Sequence, residues 1–146
     1  MTGTEDEKFM RAAIEEARKA ESRGEVPIGA VVTCDGRIIA RAHNLTETLT
    51  DPTAHAEMQA ITSATSFLGG KYLTGCTLYV TVEPCLMCAG ALAWSQIDRV
   101  VYGAADDKRG YHVFCENPFH KKTKIVSGVL SDECSRLVTE FFKKKR

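Results

Sequence analysis

Apolar residues recur at Phe9, Met10, Ala13, Ile14, Ala17 and Ala20, the three-and-four spacing of a helix with one buried face. Thr4-Glu5-Asp6-Glu7 reads as a capping box with Thr4 as N-cap, and Gly24 ends the helix. Ile28 to Cys34 is rich in Val and small residues and reads as a strand. Asp35-Gly36 is a hairpin turn signal, and Arg37 to His43 is the return strand. Asn44 to Thr53 is polar and without period, so it is a loop, with Thr53 expected to cap a helix from Ala54 to about Phe67. Thr77 to Val82 alternates as a strand does. Pro84 suits the first turn of a helix carrying Cys85, Leu86, Cys88, Leu92 and Trp94. Arg99 to Tyr102 is a short apolar strand, residues 103–123 are irregular, and Ile125 to Val129 is a last strand. Ser131 is expected to cap a final helix with apolar positions Cys134, Leu137, Val138, Phe141 and Phe142. After the hairpin, strands alternate with helices, which predicts an α/β sandwich around one sheet. With no repeat, linker or low-complexity tract, residues 1–146 are expected to form one domain.

Composition narrows the class. The 146 residues are 44% hydrophobic and 26% charged with zero net charge, which excludes disorder as the main state. No apolar run approaches the ~20 residues that span a bilayer. The acidic start lacks the layout of a signal peptide, so a soluble cytoplasmic protein without membrane partners is expected. The zero net charge hides an asymmetry. Residues 1–107 hold 9 basic and 15 acidic residues, whereas residues 108–146 hold 10 basic and 4 acidic ones. That basic end, closing on Lys143-Lys144-Lys145-Arg146, is either a surface for a polyanion or a solvated tail.

Of six cysteines, Cys34, Cys76 and Cys134 sit among apolar neighbours and are expected in the core. Cys85 and Cys88 differ. Three apart at a helix start, their sulfurs share one side, where the helix N-terminus favours thiolates. With His55 they make three ligands of the kind zinc prefers, and three ligands leave a position for water. Zinc brings the pKa of such a water towards about 7. Glu57, two residues from His55, can reach that water without ligating the metal and can serve as general acid and base. Taken singly, His55 is a cap or core histidine, Cys85/Cys88 a redox pair, and Glu57 a first-turn acid. Together, His55-Ala56-Glu57 and Pro84-Cys85-Leu86-Met87-Cys88 form the H-x-E and P-C-x-x-C pattern known from zinc nucleobase deaminases.

The surrounding stretches are more specific. Asp51-Pro52-Thr53-Ala54-His55-Ala56-Glu57-Met58 and Thr81-Val82-Glu83-Pro84-Cys85-Leu86-Met87-Cys88-Ala89-Gly90-Ala91 resemble the bacterial tRNA-specific adenosine deaminases, of the cytidine-deaminase-like superfamily. So do Glu25 to Val31, Arg99 to Ala104, Asp132-Glu133-Cys134 and Phe141-Phe142, so the resemblance spans about Phe9 to Arg146. It implies a three-layer α/β/α sandwich with a mixed five-stranded sheet, and a homodimer with active sites near the interface. It implies hydrolytic conversion of the wobble adenosine of an arginine tRNA anticodon to inosine, with release of ammonia. Residue by residue, it implies one zinc per subunit on His55, Cys85 and Cys88, and Glu57 as proton shuttle. Asn44 would read the base, Val26, Pro27, Ile28 and Ala56 would surround it, Asp106 would lie near the ribose, and Lys108 near the phosphates. The anticodon stem-loop is the implied partner. Residues 109–120 depart from the family: where many members carry small residues, this chain has Tyr111, His112, Phe114 and Phe119, which stack on bases or pack inside the protein. Two other readings share part of the pattern. One is a free-base deaminase acting on guanine or cytosine, which needs no RNA surface; the other is a binding module with a structural zinc, which has no use for Glu57.

Overall fold

The computed structural model describes residues 2–145, with side chains from Glu5 onward. Helix α1 spans Thr2–Ser22, so Thr4 lies inside the helix and not at its N-cap; its side chain, and the capping box with it, falls outside the described residues. Strands β1 (Gly29–Cys34) and β2 (Arg37–His43) form the expected hairpin, and Asp35 and Gly36 take φ of 52° and 73°, as a two-residue turn requires. Then come α2 (Ala56–Leu68), β3 (Cys76–Val82), α3 (Leu86–Ser95), β4 (Arg99–Ala104), a single 3-10 turn at Tyr111–Val113, β5 (Lys124–Val126) and α4 (Ser131–Lys144).

The sheet order is β2-β1-β3-β4-β5. β1 runs antiparallel to both β2 and β3, and β4 runs parallel to β3 and β5, so the sheet is mixed. Strand alternation divides the core in two. Ala30, Val32, Leu78, Val80, Val100 and Tyr102 face one side and pack with Ala56, Ala60 and Ala64 of α2 and Ala89 and Leu92 of α3. Val31, Tyr79 and Val101 face the other, against Phe9, Met10 and Ala13 of α1 and Cys134 of α4. Helices on both faces explain why the central strands read as continuous apolar runs. This is the three-layer α/β/α sandwich that the sequence predicts. Among the described residues, no helix is long and apolar enough to cross a membrane.

Several boundaries differ. Thr53 is no N-cap: its N–H and hydroxyl both donate to Asp51 Oδ1 at 2.8 Å, and His55 occupies the N-cap of α2. Pro84 lies before α3, whose N-cap is Cys85. Ser131 is the first residue of α4, preceded by Leu130 at φ 55°. Of the three cysteines expected in the core, Cys76 and Cys134 are fully buried and Cys34 is half-buried.

Candidate metal centre and catalytic site

Two helix N-termini converge, those of α2 and of α3, which follows the central strand β3. The N-cap positions of α2 and α3 hold His55 and Cys85, and neither side chain caps its helix. Ser, Asp or Asn at an N-cap contributes about 1 kcal/mol through such a bond. Here that contribution is forgone at both helices, and the side chains turn towards each other instead. His55 Nδ1 lies 3.5 Å from Cys85 Sγ and 3.5 Å from Cys88 Sγ. All three donor atoms fall within 4.8 Å of one another. A tetrahedral zinc with bonds of about 2.3 Å to sulfur and about 2.05 Å to nitrogen separates those atoms by about 3.6 Å. The donor set therefore fits zinc in both chemistry and spacing. The Pro52 backbone lies beside the His55 ring.

The thiols are polarised against each other. A hydrogen bond from Cys88, then one from His55, draws Cys85 down to about 4 against the effect of burial. Cys88 moves up, because it donates to Cys85 and is buried. Cys85 is thus a ready thiolate, and a divalent cation displaces the remaining proton from Cys88. Glu57, in the first turn of α2, is 4% exposed, and burial pushes its carboxyl up to about 7. It is in hydrogen-bond reach of Cys88, so it stands beside the ligand set without belonging to it.

The other expected residues fall into two groups. Asn44 is buried at the end of β2; its N–H donates to the Ile28 carbonyl and its Oδ1 accepts from Thr46 N–H at 3.2 Å. Val26 and Ile28 are half-buried, and Pro27 and Ala56 are buried. Val26 lines an open cleft of about 740 Å³ with Thr46, Asp51, Pro52, Phe142 and Lys145. That cleft joins the basic end of α4 to the loop that leads into His55. Asp106 and Lys108 sit on a separate turn, where Asp106 Oδ1 accepts the N–H groups of Lys108 and Arg109, both at 3.0 Å. The aromatic departure is split: Tyr111 and Phe119 are buried edge-to-face at 4.9 Å, whereas Phe114 is exposed.

Two residues went unseen as site builders. Buried Glu25 accepts bonds from Thr46, Glu47 and Thr48; burial alone would raise its pKa, but those bonds outweigh it and hold the carboxyl below its ordinary range. It fixes the loop after Asn44. Glu83, next to Pro84, does the same for the 106–112 loop. Each acid precedes a Pro-containing turn, a local mark, but their partners lie more than 20 residues away.

An α/β/α sandwich with a His-Cys-Cys set at two helix N-termini and an unligated carboxylate beside it defines a zinc-dependent hydrolytic deaminase. Residues 3–104 match the cytidine and deoxycytidylate deaminase zinc-binding region, and the chain belongs to that family. It is 50% identical to the tRNA-specific adenosine deaminase of Bacillus subtilis (strain 168), covering 98% of this chain and 92% of the relative. A solved structure from work on A-to-I editing by tRNA:A34 deaminases at the wobble position superimposes with TM-score 0.83 at 44% identity, over 89% of this chain and 98% of the other. Guanine deaminase from Nitrosomonas europaea gives TM-score 0.80 at 25% identity, over 92% and 83%.

Proposed function

We propose that the chain, acting as a single deaminase domain, converts the wobble adenosine of a tRNA anticodon to inosine and releases ammonia. The observation that carries this reading is the near-complete likeness to tRNA-specific adenosine deaminases, which extends into the basic C-terminal end. His55, Cys85 and Cys88 hold the zinc, which when bound supplies an acidified water near neutral pH. Glu57 would take one proton from the attacking water and pass it to the purine ring nitrogen, then take the remaining proton of the added hydroxyl and pass it to the departing amino group. Burial of its carboxyl suits it to both transfers. Asn44 presents an amide able to donate and accept at the base edge, Val26, Pro27, Ile28 and Ala56 surround the base, and Asp106 and Lys108 meet ribose and phosphate.

A cytoplasmic homodimer completes the reading. Phe67 and Leu68 at the end of α2, Leu86, Met87 and Trp94 on α3, and Phe114 beyond it leave large apolar side chains exposed, with Trp94 85% exposed. We take these exposed apolar side chains as the contact surface for a second copy. Light scattering should give twice the chain mass, and Trp94→Glu should shift the protein towards monomer; a monomeric parent overturns the dimer.

The substrate test is salt dependence. Each phosphate neutralised on a single strand contributes about −0.7 to the log–log slope of affinity against salt. Replacing Lys143, Lys144, Lys145 and Arg146 by Ser should weaken stem-loop binding and flatten that slope, with zinc content unchanged. Lys145 lines the cleft, while Arg146 lies outside the described residues. A free-base deaminase would turn over guanine or cytosine with a Michaelis constant indifferent to salt. No activity on the stem-loop at low salt, with brisk turnover of a free base, overturns the tRNA reading.

A further inference from the structure

Glu83 follows the last residue of β3 and directly precedes Pro84-Cys85, and its side chain is completely buried. Its carboxylate collects one short loop. Oε1 accepts the Asp106 N–H at 3.0 Å, Oε2 accepts the His112 N–H at 2.9 Å, and the His112 ring Nδ1 lies 2.8 Å from both oxygens. Because both oxygens belong to a carboxylate, Nδ1 is the donor. The far ring nitrogen, Nε2, is 3.5 Å from Asp107 Oδ1, so the ring lies between two acids, the setting of an imidazolium. Its pKa is raised, first by the bond to Glu83. A buried carboxylate needs its oxygens satisfied, and the His112 ring supplies one of the donors that do so.

The clasp acts on the wall of the site. Gly110 passes so close over Glu83 that a side chain there would collide with its carboxylate. Gly110 also bridges to Cys85, and Tyr111 N–H donates to the Pro84 carbonyl at 3.0 Å. Between the two points held by Glu83 stand Lys108 and Arg109, exposed cations whose backbone N–H groups are fixed by Asp106. Glu57 and the ligand set, by contrast, belong to α2 and to the start of α3.

The geometry points to His112 as a positioning residue for substrate binding: by clasping Glu83 it holds the Asp106–Arg109 turn rigid against the metal-ligand segment, where its two cations meet an RNA backbone. This rests on the proposed tRNA reading for its substrate, and on the structure alone for the clasp.

Two measurements on the zinc-loaded protein test it. Amide hydrogen exchange reports the clasp without substrate. In His112→Ala, the amides of Asp106, Lys108, Arg109 and residue 112 should exchange about tenfold faster, the scale of one lost hydrogen bond to a charged group. In His112→Asn, whose amide nitrogen can take the place of Nδ1, protection should return. Steady-state deamination of an anticodon stem-loop should show KM raised about tenfold in the Ala variant with kcat within about twofold, and KM largely restored in the Asn variant. Unchanged exchange and KM in the Ala variant overturn the proposal. So does a parallel loss of kcat and zinc, which would make His112 merely structural. If the parent protein fails on the stem-loop, the tRNA reading falls, and the exchange data still decide whether the clasp exists.

Discussion

Glu57→Gln should abolish turnover while leaving fold and zinc in place. The amide matches the carboxylate in shape, and the site is nearly closed at this position, since Glu57 is 4% exposed. Gln also removes an ionisable group from a buried place where burial already pushes the carboxyl up to about 7, so the variant should melt no lower than its parent. The amide, however, can neither take the proton from water nor give one to the leaving nitrogen. General acid–base catalysis contributes about 10² to 10⁴ in rate, and one group serving several successive transfers places the loss at the top of that range or beyond. The effect should fall on kcat, with stem-loop affinity near that of the parent, because no phosphate contact passes through Glu57. Single-turnover assays with zinc determined on the same sample decide the matter. A variant that holds one zinc per chain and still deaminates at a near-normal rate removes Glu57 from the mechanism.

The parts of this molecule that were legible in the sequence are those encoded by local spacing. Val31, Tyr79 and Val101 alternate with Val32, Leu78 and Val100, so the strands announce themselves. Asp35-Gly36 fixes its hairpin because only residues tolerant of positive φ close a two-residue turn. The metal set is legible for a similar reason: Cys85 and Cys88 are three apart, and His55 and Glu57 are two apart, so two short words carry nearly the whole site. What could not be read is what the chain does at long range. Glu25 binds the loop at 46–48, Glu83 binds residues 106 and 112, and Asp6 pairs with Arg99 at 2.7 Å beneath the Tyr79 hydroxyl. Each acid looks like a surface charge until its partners, 23 to 93 residues away, are brought beside it.

The helix starts at α2 and α3 depart from expectation for one cause. Thr53 has the right chemistry for an N-cap, and propensity favours it. At α2 the position belongs to His55, and Thr53 is drawn into a turn around Asp51 instead. The same substitution of function for stability occurs at Cys85, whose side chain makes no capping hydrogen bond and stands 3.5 Å from His55 Nδ1. Local rules fail here because two helix ends serve as ligand mounts, and departure from local consistency is itself a mark of a working site.

Cys88→Ala should release the metal, and this ties activity to stability in one measurement. Cys88 is fully buried in the first turn of α3, and its sulfur is one of only two thiolate donors. His55 and Cys85 alone cannot enclose a tetrahedral ion, so the zinc content should fall from about one per chain to near zero after gel filtration, and deamination with it. The lost sulfur leaves a small void worth about 1 kcal/mol. The larger cost is the lost linkage: a ligand present at 100 times its Kd contributes about 2.7 kcal/mol to the folded state, and structural thiolate sites bind far more tightly than that. Wild type treated with a chelator and the Ala variant should therefore melt within a few degrees of each other, both well below zinc-loaded wild type, and chelator should leave the variant unmoved. Among the described residues, His55, Cys85 and Cys88 form the one cluster of His, Cys, Asp and Glu side chains close enough to hold an ion. Stoichiometric zinc in Cys88→Ala, by plasma mass spectrometry, would mean a different ligand set and would unseat the whole assignment of the site.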